Sequence, residues 1–101
     1  MNYVIITPMK NEGCFIERTI RSVCSQTVKP VCWMIVDDGS TDNSPEIVKK
    51  YKNNFSFIEY IKLSDMYLSE YSSRIAHIVN FGTRILEKKN ILYEVIVKLD
   101  A

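Results

Sequence analysis

An α/β fold, a parallel sheet covered by helices on both faces, is what the order of hydrophobic patterns in this chain predicts. Three observations carry the prediction. Short apolar runs alternate with stretches whose apolar residues recur at helical spacing. Turn chemistry separates them, as at Gln26 to Pro30 and Gly39-Ser40. The run from Cys32 to Asp37 is nearly unbroken in its apolar character, which suits a strand buried on both sides. At 101 residues the chain is sized for one compact unit, without linker, repeat or low-complexity tract.

Tyr3 to Thr7 is a β-branched run and the first strand; Pro8, which has no N–H for a ladder, is expected to end it. Phe15, Ile16, Ile20, Val23 and Cys24 then recur at helical spacing, with Asn11 as the expected N-cap. Cys32 to Asp37 forms the second strand. Ser44-Pro45-Glu46 starts the second helix: the hydroxyl suits capping, proline suits the first turn, and an acid favours the positive helix end. Ile47, Val48 and Tyr51 give that helix its inward face. Phe55 to Ile61 is the third strand, and Leu63 to Ser73 a ligand-facing loop or a short helix. Ile75, Ile78, Val79, Gly82, Ile85 and Leu86 line one face of a helix from Arg74 to Lys88. Gly82 on that stripe implies close approach of a neighbouring element, since a helical glycine costs about 1 kcal/mol relative to alanine. Tyr93 to Leu99 is the fourth strand.

Thirteen Lys and Arg against twelve acids give a net charge of +1, so charge marks the chain as neither a nucleic-acid nor an acidic-membrane binder. Cys14, Cys24 and Cys32 lack paired spacing and read as free, core-packed thiols in a reducing compartment. No basic leader or long apolar span is present, which points to a cytoplasmic protein, membrane-peripheral at most. His77, one residue off the helical stripe, reads as a surface group, Trp33 as a core residue, and Lys49, Lys50, Lys52 and Lys62 as a solvated basic face.

The acids are where chemistry enters. In a parallel sheet the carboxyl ends of all strands lie on one edge, which should bring Pro8, Asp37 with Asp38, and Asp100 together. Crowded carboxylates need a counterpart, either a divalent cation or hydrogen-bond donors such as a base imide and ribose hydroxyls. The plainer reading is that Asp37 and Asp38 start a turn and cap a helix.

Val4-Ile5-Ile6-Thr7-Pro8-Met9-Lys10-Asn11-Glu12, then Thr19-Ile20-Arg21-Ser22-Val23 through Gln26-Thr27, then Val36-Asp37-Asp38-Gly39-Ser40-Thr41-Asp42 together resemble the start of a family 2 glycosyltransferase of the GT-A fold. Asn80-Phe81-Gly82 and Lys98-Leu99-Asp100-Ala101 resemble that family's later blocks, in order. The resemblance implies a Rossmann-like half with strand order 3-2-1-4 and a nucleotide-sugar donor, with uridine favoured as the base. It also implies transfer to an acceptor hydroxyl with inversion. Thr7 and Pro8 would form the floor beside the nucleotide, and Glu12 would line the ribose and base. Asp38 would meet the imide edge of uracil with Asp37 supporting its loop, and Arg74 would face the donor phosphates or base. Asp100 would be the first acid of the Asp-any-Asp motif, holding ribose and a Mn or Mg ion.

The second acid of that motif would be residue 102, beyond Ala101, so the expectation is a weak or absent metal site. The family's general base has no counterpart here either. Residues 1–101 thus read as a donor-binding half without turnover of its own, with strand four as an open edge able to self-associate. Met9 and Lys10 before Asn11, and Val79 where an arginine often stands, depart from the family pattern. Two other folds fit less well. A phosphoacceptor receiver domain has its paired acids after the first strand, and a nicotinamide-binding domain needs more glycines after strand one than Gly13 supplies. A non-catalytic nucleotide-binding module remains the alternative.

Overall fold

A computed structural model describes residues 2–63 and 74–100, with residues 74–77 described by their helical backbone alone. Strands and helices alternate as β1 (Tyr3–Met9), α1 (Ile16–Cys24), β2 (Cys32–Asp37), α2 (Ser44–Lys52), β3 (Ile58–Lys62), α3 (Arg74–Lys88) and β4 (Val95–Lys98). The strands form one sheet in the order β3-β2-β1-β4, and every pairing is parallel. The expected α/β class and the 3-2-1-4 order are both present.

Successive strand residues point to opposite faces, and this alternation divides the core in two. Val4, Ile6, Cys32, Met34 and Val36 pack against Ile78 and Leu86 of α3. Ile5, Met9, Trp33 and Ile35 pack on the other side against Ile16, Ile20 and Val23 of α1 and Val48 of α2. All six residues of β2 are buried, as its unbroken apolar run required. A fully buried aliphatic side chain contributes about 1.5–3 kcal/mol, so β2 is the strand that least tolerates a polar substitution. Gly82 makes the expected close approach: a Cβ there would lie 3.0 Å from Ile6 Cδ1 and 3.4 Å from Met34 Sδ.

Proline does not end β1 where expected. The strand runs through Pro8 to Met9, pairing Pro8 with Val36 and Met9 with Asp37. The reason is the direction of the missing N–H. The Ile6 carbonyl accepts from Leu99 N on the β4 side at 3.1 Å, whereas the Met9 carbonyl accepts from Asp38 N on the β2 side at 2.8 Å. Residue 8 shares the parity of residue 6, so its absent donor faces β4 and the ladder to β2 continues. The β1–β4 ladder, by contrast, stops at Ile6 and Lys98.

Other boundaries move for local reasons. The residue preceding α1 is Phe15 rather than Asn11, and no side chain caps the helix; the Glu12 carbonyl instead accepts from Phe15 N and Ile16 N. Ser44 begins α2 after Asn43, and its hydroxyl does not cap the helix but reaches the loop after β1. The Phe55 carbonyl accepts from Ile58 N in a turn, which delays β3 to Ile58. β4 is shorter than its apolar run, and all four of its residues are exposed at the sheet edge. Of the expected Leu63–Ser73 loop, Leu63 is buried in the α3-side core and residues 64–73 lie outside the described residues. Cys32 is buried and Cys24 half-buried, but Cys14 is exposed rather than core-packed; all three are free.

Candidate functional site

Parallel pairing puts the carboxyl ends of all four strands on one edge. β1 and β4 sit at the point where strand order reverses, which is where open α/β sheets leave a crevice for ligands. The β1–β2 register runs to Met9 and Asp37, so Asp38 directly follows the end of β2, whereas the β1–β4 register ends at Ile6 and Lys98, two residues before Asp100. Both acids thus follow strand ends on the same edge of the sheet.

The individual residues differ in what they present. Asp37 is 1% exposed, and its carboxylate is engaged within the protein: Oδ1 accepts from Ser40 N at 2.8 Å and Oδ2 from the Tyr60 hydroxyl at 2.5 Å. Burial, then the neighbouring Asp37 carboxylate, pushes the Tyr60 phenol well above its ordinary range. Asp37 therefore ties the loop after β2 to β3. Asp38 is 8% exposed, and its backbone N–H is held by Met9. Thr7 is fully buried, and its hydroxyl accepts from Trp33 Nε1 at 2.8 Å. It lies beneath the edge with Trp33, while half-buried Pro8 stands above it.

Glu12 is half-buried in the loop after β1. That loop is stitched to residues 40–44. The Asn11 side-chain oxygen accepts from Thr41 N at 2.8 Å and Asp42 N at 3.2 Å, and Asn11 N donates to Ser40 Oγ at 3.0 Å. Glu12 N donates to Ser44 Oγ at 2.9 Å and Gly13 N to Asp42 Oδ2 at 3.0 Å. The Ser44 hydroxyl donates a further hydrogen bond to Asp42 Oδ1. That bond from Ser44, before any other cause, holds the Asp42 carboxyl below its ordinary range.

Asp100 is exposed, with 79% of its side chain open to solvent, and receives an ion-paired hydrogen bond from Lys98 Nζ at 2.9 Å. A hollow of about 280 Å³ lies beside it, lined by Arg18, Thr19, Ser22, Val23, Gln26 and Leu99. It reaches the acidic edge at Asp100 and marks the uncovered flank between α1 and β4 rather than the space over Asp38. Arg74 is the first residue of α3, and its side chain, like that of His77, lies outside the described residues. Among the described residues no three carboxylate, imidazole or thiolate groups gather as a divalent ion requires. Asp100 with its Lys98 partner does not by itself make such a site.

Sequence reasoning missed Asn11, Gly13, Asp42, Ser44 and Tyr60 as parts of this edge. Asn11 carried a signal: asparagine favours left-handed backbone, and its φ is 53°. Tyr60 carried none, because its partner Asp37 is 23 residues away on another strand.

The family model for Glycosyl transferase family 2 matches residues 4–66. Cholesterol galactosyltransferase of Borreliella burgdorferi is 39% identical over 59 residues, covering 58% of this chain and 16% of that protein. Validoxylamine A glucosyltransferase of Streptomyces hygroscopicus subsp. limoneus is 29% identical over 83 residues, 80% of this chain and 17% of that protein. Among solved structures, S. aureus TarS 1-349 superposes with a TM-score of 0.73 at 24% identity, covering 99% of this chain and 27% of that one. TarS 1-349 in complex with UDP-GlcNAc gives 0.68 at 23% identity, covering 99% and 26%. The chain thus spans about a sixth of these curated relatives, and the likeness to TarS is one of fold.

Proposed function

Because this chain belongs to Glycosyl transferase family 2, we propose that it is the donor-binding part of an enzyme that moves a hexose from a UDP-sugar to an acceptor hydroxyl with inversion. What supports this reading is that Asp38 and Asp100 follow the carboxyl ends of β2 and β4, the two strands beside β1. The UDP-GlcNAc bound by TarS, which shares the fold, supports uridine as the base.

Each residue has a role in that reading. The Asp38 carboxylate accepts from the imide N–H of uracil, and Asp37, already bonded to Ser40 and Tyr60, keeps the loop in place. Glu12 and Asp100 accept from ribose hydroxyls over the floor made by Pro8, with Thr7 supporting that floor from below. Arg74, whose side chain lies outside the described residues, is assigned to the donor phosphates or base. In the transfer the acceptor oxygen attacks the anomeric carbon opposite the diphosphate, the carbon–oxygen bond to phosphate breaks, and UDP leaves with the electron pair. The acceptor proton goes to a base outside these residues, so residues 1–101 alone do not turn over donor. The described residues do not fit a Mn or Mg ion, and none of these steps runs through one. No helix among the described residues is long and apolar enough to cross a membrane; a cytoplasmic enzyme, peripheral to a membrane if its acceptor is a lipid, fits this reading.

Calorimetric titration with UDP tests the proposal. Saturable binding that Asp38→Ala weakens about tenfold, the cost of about one good hydrogen bond to a charged group, is the expected result. No binding by the chain would sink it. Binding without sugar-nucleotide turnover by the full-length protein would favour the non-catalytic module instead.

A further inference from the structure

We propose that Asn11 is a positioning residue, a clasp between the loops after β1 and β2 that sets affinity for the nucleotide of the donor; this rests on the donor-binding role proposed for the chain. The loops of residues 10–13 and 38–43 belong to no helix or strand, so their amides lack ladder partners and must find others. They find them in each other. Three consecutive N–H groups of the first loop, at Asn11, Glu12 and Gly13, donate to the side chains of Ser40, Ser44 and Asp42. In return the Asn11 side-chain oxygen accepts from the consecutive amides of Thr41 and Asp42 and, at 3.3 Å, from Thr41 Oγ1.

Two further observations show that the joint is built tightly. Asn11 holds φ at 53°, a left-handed backbone that asparagine, aspartate and glycine adopt far more readily than other residues. A Cβ at Gly13 would clash with Asn43 Oδ1 and lie 2.9 Å from Asp42 Oδ2, so both side chains would have to shift to admit one. Glu12 lies inside this clasp, and Asp38 lies three residues before Thr41. Glu12 thus takes its position from this set of bonds, and the loop that leaves Asp38, whose own N–H is held by the Met9 carbonyl, is fastened by the same set. Asn11 itself need not touch the ligand.

The test compares Asn11→Gly, which keeps the left-handed backbone and deletes the side chain, with Asn11→Asp, which restores an acceptor oxygen. Amide hydrogen exchange without ligand and UDP titration are measured on both. Asn11→Gly is expected to speed exchange at Thr41 and Asp42 at least tenfold while β2 stays protected, and to weaken UDP binding about tenfold. Asn11→Asp is expected to restore both. Unchanged exchange in Asn11→Gly, faster exchange with UDP affinity within twofold of the parent, or protection lost equally throughout β2 would each overturn the proposal. A parent chain that binds no UDP overturns the donor reading and with it the link to affinity, whereas exchange still decides the clasp.

Discussion

Replacing Thr7 with valine tests whether this residue faces a ligand or supports the floor from below. Thr7 and Trp33 are both 0% exposed, and the indole N–H donates to the threonine hydroxyl at 2.8 Å. Valine keeps the volume and removes the acceptor, leaving a donor unpaired in a dry core. Such a group costs about 1–3 kcal/mol, and the added methyl returns about 0.8 kcal/mol. The net loss is about 0.2–2 kcal/mol, which in a chain of this size lowers Tm by up to roughly 15 °C. Urea denaturation of the parent, Thr7→Val, Trp33→Phe and the double variant closes a double-mutant cycle. With phenylalanine at 33 no donor remains, so Thr7→Val becomes neutral or slightly stabilising. Equal cost in both backgrounds would refute the bond as the cause. UDP affinity measured where Thr7→Val is still folded should stay within twofold of the parent; a larger loss would place the hydroxyl in the ligand's path.

Three other outcomes follow from the same geometry. The Tyr60 phenol titrates above its ordinary range, so the unfolded chain releases its proton first. Its stabilisation is complete below pH ~10 and declines as pH rises past that value, and Tyr60→Phe should abolish this alkaline dependence in denaturation curves. Asp42 is held ionised below its ordinary range, so its contribution is present above pH ~4 and lost as pH falls through the lowered value. The protection of the Gly13 and Ser44 amides, measured relative to their intrinsic exchange rate at each pH, should then fall in acid, and Asp42→Asn should flatten that response. Along β4, Val95, Ile96 and Val97 are 37–40% exposed at the sheet edge, and self-association of this chain should give way to monomer in size-exclusion chromatography when Ile96 is changed to lysine.

Much of the fold was legible because burial writes itself into local pattern. The six apolar or edge-ending residues of β2, Pro45 and Glu46 in the first turn of α2 and the glycine on the inward stripe of α3 each require one environment, and each has it. Strand ends were less legible. Phe55 and Phe57 look like strand residues but stack near one another, 5.9 Å between ring centroids, in the turn before β3. The site was half legible. Paired acids at a strand end imply an edge whatever they bind, but the partners that position them come from 23 to 32 residues away, and a single sequence gives no such distances. Asn11 and Ser44 were each assigned to the nearest helix because capping is their commonest local use. The nearby alternative was each other's loop.

Pro8 has an effect that reaches the other side of the sheet. With no hydrogen on its nitrogen, the rung that would accept it at the Leu99 carbonyl is never made, and after the Leu99 N–H bonds the Ile6 carbonyl the ladder to β4 ends. Asp100 is thus aimed by whatever surrounds it rather than by the sheet, and among the described residues Lys98 is the partner that its carboxylate meets. Restoring that hydrogen with an ordinary amino acid would fasten the ladder one rung further and fix the acid's heading in advance.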